Sequence, residues 1–162
     1  VVHHSKGPVY VYNKFDTTFN DIIIVPTDMS DVNVQVAHLA DEWAQNTNSE
    51  LAFIHVGAIF NNFGNSLEFD LKFGQAEMEK ARADLEAQFG QFVDSLKLKS
   101  KYKRYLRFGK PYHHIDELQQ ELNAKLIMVA AHSHTLLDRL VAGSTTDYLL
   151  HHTKCPLYVY KH

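Results

Sequence analysis

Gly143-Ser144-Thr145-Thr146 sets one glycine and three hydroxyl residues just before the apolar run Tyr148-Leu149-Leu150. A helix starting there offers unpaired backbone amides, three hydroxyls and the positive end of its dipole, a combination that holds anions such as phosphate. Upstream, His132, Ser133, His134 and Arg139 can donate to a phosphate or balance its charge. A second polar cluster, Pro26-Thr27-Asp28-Met29-Ser30, follows the apolar run Phe19–Val25. Other reactive patterns are missing: there is no G-x-S-x-G elbow, no phosphate loop ending in Gly-Lys, and no H-E-x-x-H or C-x-x-C set. Cys155 precedes Pro156 at a strand start, a poor position for a nucleophile. Eleven histidines, several adjacent (His3-His4, His113-His114, His151-His152), raise a metal reading. Neighbours on a helix point about 100° apart, however, so such pairs do not form a ligand set. No metal is expected.

Something must position these groups, and the composition bounds what that is. The chain has 162 residues, 45% of them apolar, enough to fill the core of one domain. A formal net charge of −3 gives no electrostatic drive toward nucleic acid or an anionic membrane. No apolar run approaches the roughly 20 residues of a membrane-spanning helix. One cysteine excludes an internal disulfide and fits a reducing compartment, so the cytoplasm is expected.

Short apolar runs alternate with helical periodicity along the chain. Phe19–Val25 and Leu51–Val56 read as buried strands, with Pro26 breaking the first. Ser30 is placed to cap a helix marked by Val32, Val36, Leu39 and Trp43. Met78, Ala81, Leu85, Phe89, Phe92 and Leu96 mark a long amphipathic helix. Tyr102–Phe108 reads as a half-exposed or edge strand, and Ile115, Leu118 and Leu122 as a short helix. Lys125–Ala130 is a buried strand, about Ser144 to His152 a helix, and Pro156–Tyr160 the last strand. The alternation predicts an α/β fold with a mostly parallel sheet and helices on both faces. Ligands of such sheets sit beyond the carboxyl ends of the strands, where the strand order reverses, which singles out 26–30 and 130–144.

PTDMSD after the first strand, HV in the second, GKP before the short helix and VAAHSHTLLDRLVAGSTTDYLLHHTKCPLYVY at the end resemble the universal stress protein family over residues 19–162. The resemblance implies a five-stranded parallel sheet of order 3-2-1-4-5, of the adenine nucleotide alpha hydrolase-like kind, dimers through the last strand, and a division into ATP-binding and non-binding branches. The binding branch carries Gly, two residues, Gly, nine residues, Gly, then Ser or Thr. Here Ala130 and Ser133 occupy the first two glycine positions, while Gly143 and Ser144 are kept. Two readings stay open. In one, the Ser133 hydroxyl and His132 or Arg139 assist a phosphate held by 143–146, and ATP, ADP or AMP binds. In the other, the added side chains close the loop, since a side chain at a left-handed glycine position costs about 1–2 kcal/mol, and the domain is an interaction module. A weak ATPase is a third reading. The resemblance sets Asp28 beside ribose and adenine and Val56 along the adenine, with Pro26 and Thr27 among the nucleotide-binding residues. Asp28 reads equally as a helix N-terminal acid, and Val56 as a core valine.

Finally, Val1–Tyr12 (VVHHSKGPVYVY) matches Leu149–Tyr160 (LLHHTKCPLYVY) in seven of twelve positions at an offset of 148 residues. With the Val start, this reads as the end of a preceding copy of the domain: residues 1–18 a remnant and linker, 19–162 the domain proper. The expectation is an extra strand at Val9–Tyr12, antiparallel to Leu157–Tyr160, within one chain as a pseudo-dimer or exchanged in a homodimer.

Overall fold

A computed structural model describes residues 7–11, 21–57, 75–131 and 144–161. In chain order the elements are β1 (Val9–Val11), β2 (Ile22–Pro26), α1 (Asp31–Thr47), β3 (Glu50–Gly57), α2 (Gln75–Ser95), β4 (Tyr102–Phe108), α3 (Pro111–Leu122), β5 (Leu126–Ala131), α4 (Ser144–His152) and β6 (Leu157–Lys161). They form one sheet of order β1-β6-β5-β2-β3-β4. Strands β2 to β6 are parallel to their neighbours, in the expected order 3-2-1-4-5. Strand β1 runs antiparallel to β6, with Val9 opposite Val159, Tyr10 opposite Tyr158 and Val11 opposite Leu157. Tyr12 lies outside the described residues.

That register has an internal symmetry. Tyr10 and Tyr158 are equivalent residues of the sequence repeat and also face each other, while Val9 and Val11 meet the equivalents of one another. The pair is arranged as two copies of one strand about a local two-fold axis.

Alternation along the strands divides the core. Ile23, Val25, Phe53 and Met128 join Val36 of α1 and Phe89 and Val93 of α2 on one face. Ile24, Ile54, Ile127 and Val129 join Ile115 and Leu118 of α3 and Leu149 of α4 on the other. The face of α1 departs from expectation. Val36 is buried, but Val32, Leu39 and Trp43 are only half-buried, and Ala37, Ala40 and Ala44 carry the contact. Small side chains let the helix axis approach the sheet closely, and the larger residues flank it. Trp43 covers the β1–β6 pair, with its ring centroid 6.2 Å from Tyr10 and 5.5 Å from Tyr158.

Two local expectations are corrected. Pro26 ends β2 from inside it, paired with Ile54; its missing donor costs nothing because Thr27 supplies the next amide to the Ile54 carbonyl at 2.9 Å. Ser30 occupies the N-cap position, yet its hydroxyl caps no backbone amide. It accepts instead from Asn33 Nδ2 at 2.8 Å.

Asp41 of α1 is buried and accepts from the amides of Ser100 at 2.8 Å and Lys99 at 3.2 Å, pinning the turn into β4. Burial opposes its charge, but the Ser100 and Lys99 hydrogen bonds and the nearby His38 outweigh burial and hold its carboxyl below the usual 3.8. A depressed folded pKa stabilises the fold above the unfolded value, and the contribution is lost as pH falls through the folded one. Asp41→Asn should therefore destabilise the domain by about 1–3 kcal/mol at neutral pH, with the gap to wild type narrowing in acid. Urea melts at pH 7 and pH 3 measure this; an equal gap at both would contradict it. Cys155 is buried with Sγ 3.5 Å from the Ala124 carbonyl, and burial pushes its thiol up to about 12. It should resist a disulfide reagent at pH 8 in the native state and react fully in urea; rapid native labelling would show the burial to be wrong.

Candidate functional site

Strand β2 delivers the chain to the carboxyl edge of the sheet, where the 27–30 turn is held from within. Thr27 is buried, and its hydroxyl accepts from the Met29 amide at 2.9 Å. Met29 adopts a left-handed φ of 65°. Asp28 is exposed, and its Oδ1 accepts from the Ser30 amide at 3.0 Å and from Asn33 Nδ2 at 2.6 Å. Asn33, 3% exposed, spends both amide hydrogens here, one on Asp28 and one on Ser30. The Asp28 carboxylate is thus aimed by a buried side chain on the following helix.

Strand β3 adds His55, whose Nδ1 lies 2.8 Å from the Thr27 carbonyl. A carbonyl only accepts, so Nδ1 carries the hydrogen of this bond. The ring centroid of His55 is 5.8 Å from that of Phe89. The His55–Thr27 hydrogen bond ties β3 to the β2 exit.

Between these groups, strand β5 and helix α4 lies a cavity of about 230 Å³. It occupies the crevice between β2 and β5, where the strand order reverses. Pro26, Thr27 and Asp28 line it from the β2 exit, Val56 from β3, Ala130 from β5, and Thr145 and Thr146 from the first turn of α4. Thr146 is buried, with its hydroxyl 3.4 Å from the Ala130 carbonyl. Ser144 is the first residue of α4. His132, Ser133 and Gly143 lie outside the described residues, as do His134 and Arg139. Ala130 sits in extended strand, paired with Tyr160 and almost fully buried, so its methyl group is accommodated without a left-handed backbone.

Sequence reasoning missed Asn33, Ile54, His55, Pro111, Ile115 and Val129, which also line the cavity. Ile54, Ile115 and Val129 look like ordinary core residues in sequence. Asn33, three residues after Ser30, carried a usable signal as a polar side chain in a first helical turn. The chemistry available is that of binding. Apolar walls from Ile54, Val56, Ile115 and Val129 suit a flat ring, while Asp28, the two threonines and a helix start suit polar and anionic groups. No group of three or more potential metal ligands occurs among the described residues.

Comparison with known proteins follows this geometry. No curated protein sequence matches the chain. Among solved structures, a universal stress protein in complex with cAMP superposes with a TM-score of 0.63 at 19% identity, over 89% of this chain and 98% of that one. A universal stress protein from Archaeoglobus fulgidus DSM 4304 gives 0.64 at 20% identity, over 99% of this chain; the chain spans only 51% of its length. The universal stress protein from Archaeoglobus fulgidus in complex with dAMP gives 0.58 at 15% identity, over 88% of this chain and 98% of that one. At these identities the likeness establishes the fold. The family model of the universal stress proteins matches residues 20–161, nearly the whole chain, and the protein belongs to the universal stress protein family.

Proposed function

We propose that the domain binds an adenine mononucleotide in the cavity between β2 and β5 without turning it over, and that it acts as a cytoplasmic regulator in a stress response. One observation carries this reading: seven residues nominated from the sequence, Pro26, Thr27, Asp28, Val56, Ala130, Thr145 and Thr146, converge on one cavity beside a helix start. The ligands of two structural relatives, cAMP and dAMP, share an adenine and a phosphate, and they support the ligand class. In this reading Ile54 and Val56 face the adenine, and Asp28, aimed by Asn33, accepts a hydrogen bond from the nucleoside. The phosphate meets the first-turn amides of α4 near Ser144, with Gly143, Ser133 and His132 completing its surroundings. The competing reading is an interaction module that binds no nucleotide, and it rests on the side chain at Ser133, since Ala130 lies in strand β5.

Isothermal titration with AMP, cAMP, ADP and ATP separates the two. Saturable binding of at least one is expected. Asp28→Ala should weaken it about tenfold, equivalent to about 1.4 kcal/mol, and Val56→Trp, which fills the cavity, should abolish it. No heat and no retention on equilibrium dialysis at millimolar nucleotide would leave the interaction module as the answer.

We also propose that residues 1–18 are the end of a preceding copy of the domain, and that the two copies meet across β1 and β6 as a pseudo-dimer or, by exchange, a homodimer. The repeat, the Tyr10–Tyr158 register and the near-complete match to a chain of twice the length support this. Removing residues 1–12 should uncover β6 and convert a monomer into a dimer by light scattering; a truncated chain that stays monomeric would count against it.

A further inference from the structure

Strand β4 pairs with β3 through seven consecutive positions, from Tyr102 opposite Leu51 to Phe108 opposite Gly57. It has no second neighbour among the described residues. The direction of its backbone groups follows from two bonds. The Lys101 carbonyl accepts from the Leu51 amide at 2.9 Å, and the Gly109 amide donates to the Gly57 carbonyl at 3.4 Å. Odd-numbered residues therefore face β3, and the amides and carbonyls of Tyr102, Arg104 and Leu106 face outward, the Leu106 carbonyl accepting from Arg107 Nη1 at 3.4 Å. The Phe108 carbonyl is taken by His114 Nε2 at 3.0 Å. Tyr102, Arg104 and Leu106 thus present a backbone edge with no strand partner among the described residues.

Beside this edge runs a groove of about 420 Å³ between β4 and helix α2, lined by Glu86 and Phe89 of the helix and 103–106 of the strand. Its width depends on Gly90. A Cβ there would lie 2.8 Å from a guanidinium nitrogen of Arg104, so the glycine lets that side chain lie along the helix toward Asp94 at 3.4 Å. An open edge alongside a helix is the geometry in which extended peptides add as an extra strand, with main-chain bonds giving affinity and alternate side chains giving specificity.

Charge selects the occupant. Residues 97–107 hold six basic side chains and no acidic one, in a chain of formal net charge −3. Arg104 and Arg107 meet Asp94 and Glu121, whereas Lys97, Lys99, Lys101 and Lys103 are exposed and have no ion pair among the described residues. By the strand's two-residue period Lys101, Lys103 and Arg107 alternate with Tyr102, Arg104 and Leu106, and Lys103 also lines the groove. An added strand has the same period, so it would set one row of side chains over the groove and the other beside these cations. Lysines on an edge also deter pairing between cationic strands, and by the same electrostatics they favour an anionic one. The aromatic rings of the strand point away from stacking roles: Tyr102 packs on Phe53 at 6.2 Å, and Arg82 lies over Phe108 at 5.4 Å. A polypeptide thus fits better than a nucleic acid.

We infer that the β4 edge is a docking site for an extended acidic polypeptide, whose alternating apolar residues enter the β4–α2 groove and whose carboxylates meet Lys101 and Lys103. This site lies on the edge strand at the far side of β3 from the cavity, and nothing in it depends on nucleotide binding.

The test uses the full chain and a fluorescein-labelled octapeptide of alternating Glu and Val. Fluorescence anisotropy should rise to saturation, and the amide NMR shifts that move should cluster on 102–108 and 86–90. Replacing Glu by Lys in the peptide, or introducing Lys101→Glu with Lys103→Glu in the protein, should weaken binding at least about tenfold. A fully N-methylated octapeptide keeps the charge and loses the strand-pairing donors, so it should weaken equally. The inference is overturned if the N-methylated peptide binds as well as its parent, if a ten-nucleotide oligothymidylate displaces the peptide at equal concentration, or if the shifts fall elsewhere. The shift map on the wild-type chain decides the matter even if the double variant folds poorly.

Discussion

Strand β2 pairs with β3 on one side and β5 on the other, and Ile24 and Val25 are wholly enclosed between the helical layers. A strand buried on both faces and both edges has no freedom of register. Its neighbours lead to helices on opposite faces, so the chain must part at its carboxyl end and leave a crevice there. The cavity, the 27–30 turn and the approach of α4 all follow from this central placement. Pro26 sharpens it by ending the ladder at the point where Thr27 and His55 take over.

The walls of the crevice are rigid for an equally physical reason. Asn33, buried, satisfies both of its amide hydrogens on the turn it faces, and Thr27 closes its own loop by accepting from Met29. Loss of such an internal partner would leave a buried polar atom unsatisfied, a cost that selects a single arrangement. The exposed Asp28 carboxylate is therefore held in place while remaining accessible. Preorganisation of this kind reduces the ordering cost of binding a small molecule.

The two ends of the sheet solve the edge problem differently. At one end the short strand β1 covers β6 in a register that is symmetric about Tyr10 and Tyr158, and Trp43 packs over both rings. At the other, β4 has no second strand neighbour among the described residues and is rich in cations. Pairing with β1 satisfies the outer groups of β6 over three positions, whereas a charged edge discriminates among partners by sign.

Much of this was legible in the chain itself. The β-branched run Ile22-Ile23-Ile24-Val25, the alternation of strands with helical periodicity, and the repeat of residues 1–12 at 149–160 determine an α/β sheet with an added antiparallel strand, because local propensity and pattern act over a few residues. Thr27, Asp28, Thr145 and Thr146 were also legible as site candidates, since strand ends and helix starts are local signals, while Val56 and Ala130 were singled out by the family resemblance. Only the tertiary structure decided that Ala37, Ala40 and Ala44, not the larger Val32, Leu39 and Trp43, form the close face of α1, because that depends on how near the sheet comes. It alone brought Asn33 against Asp28 and His55 against the Thr27 carbonyl, and it alone turned the lysine-rich segment 97–107 into one side of a groove. Contacts between residues distant in sequence depend on the register of neighbouring strands, which is set by the packing of the whole core and not by any one segment.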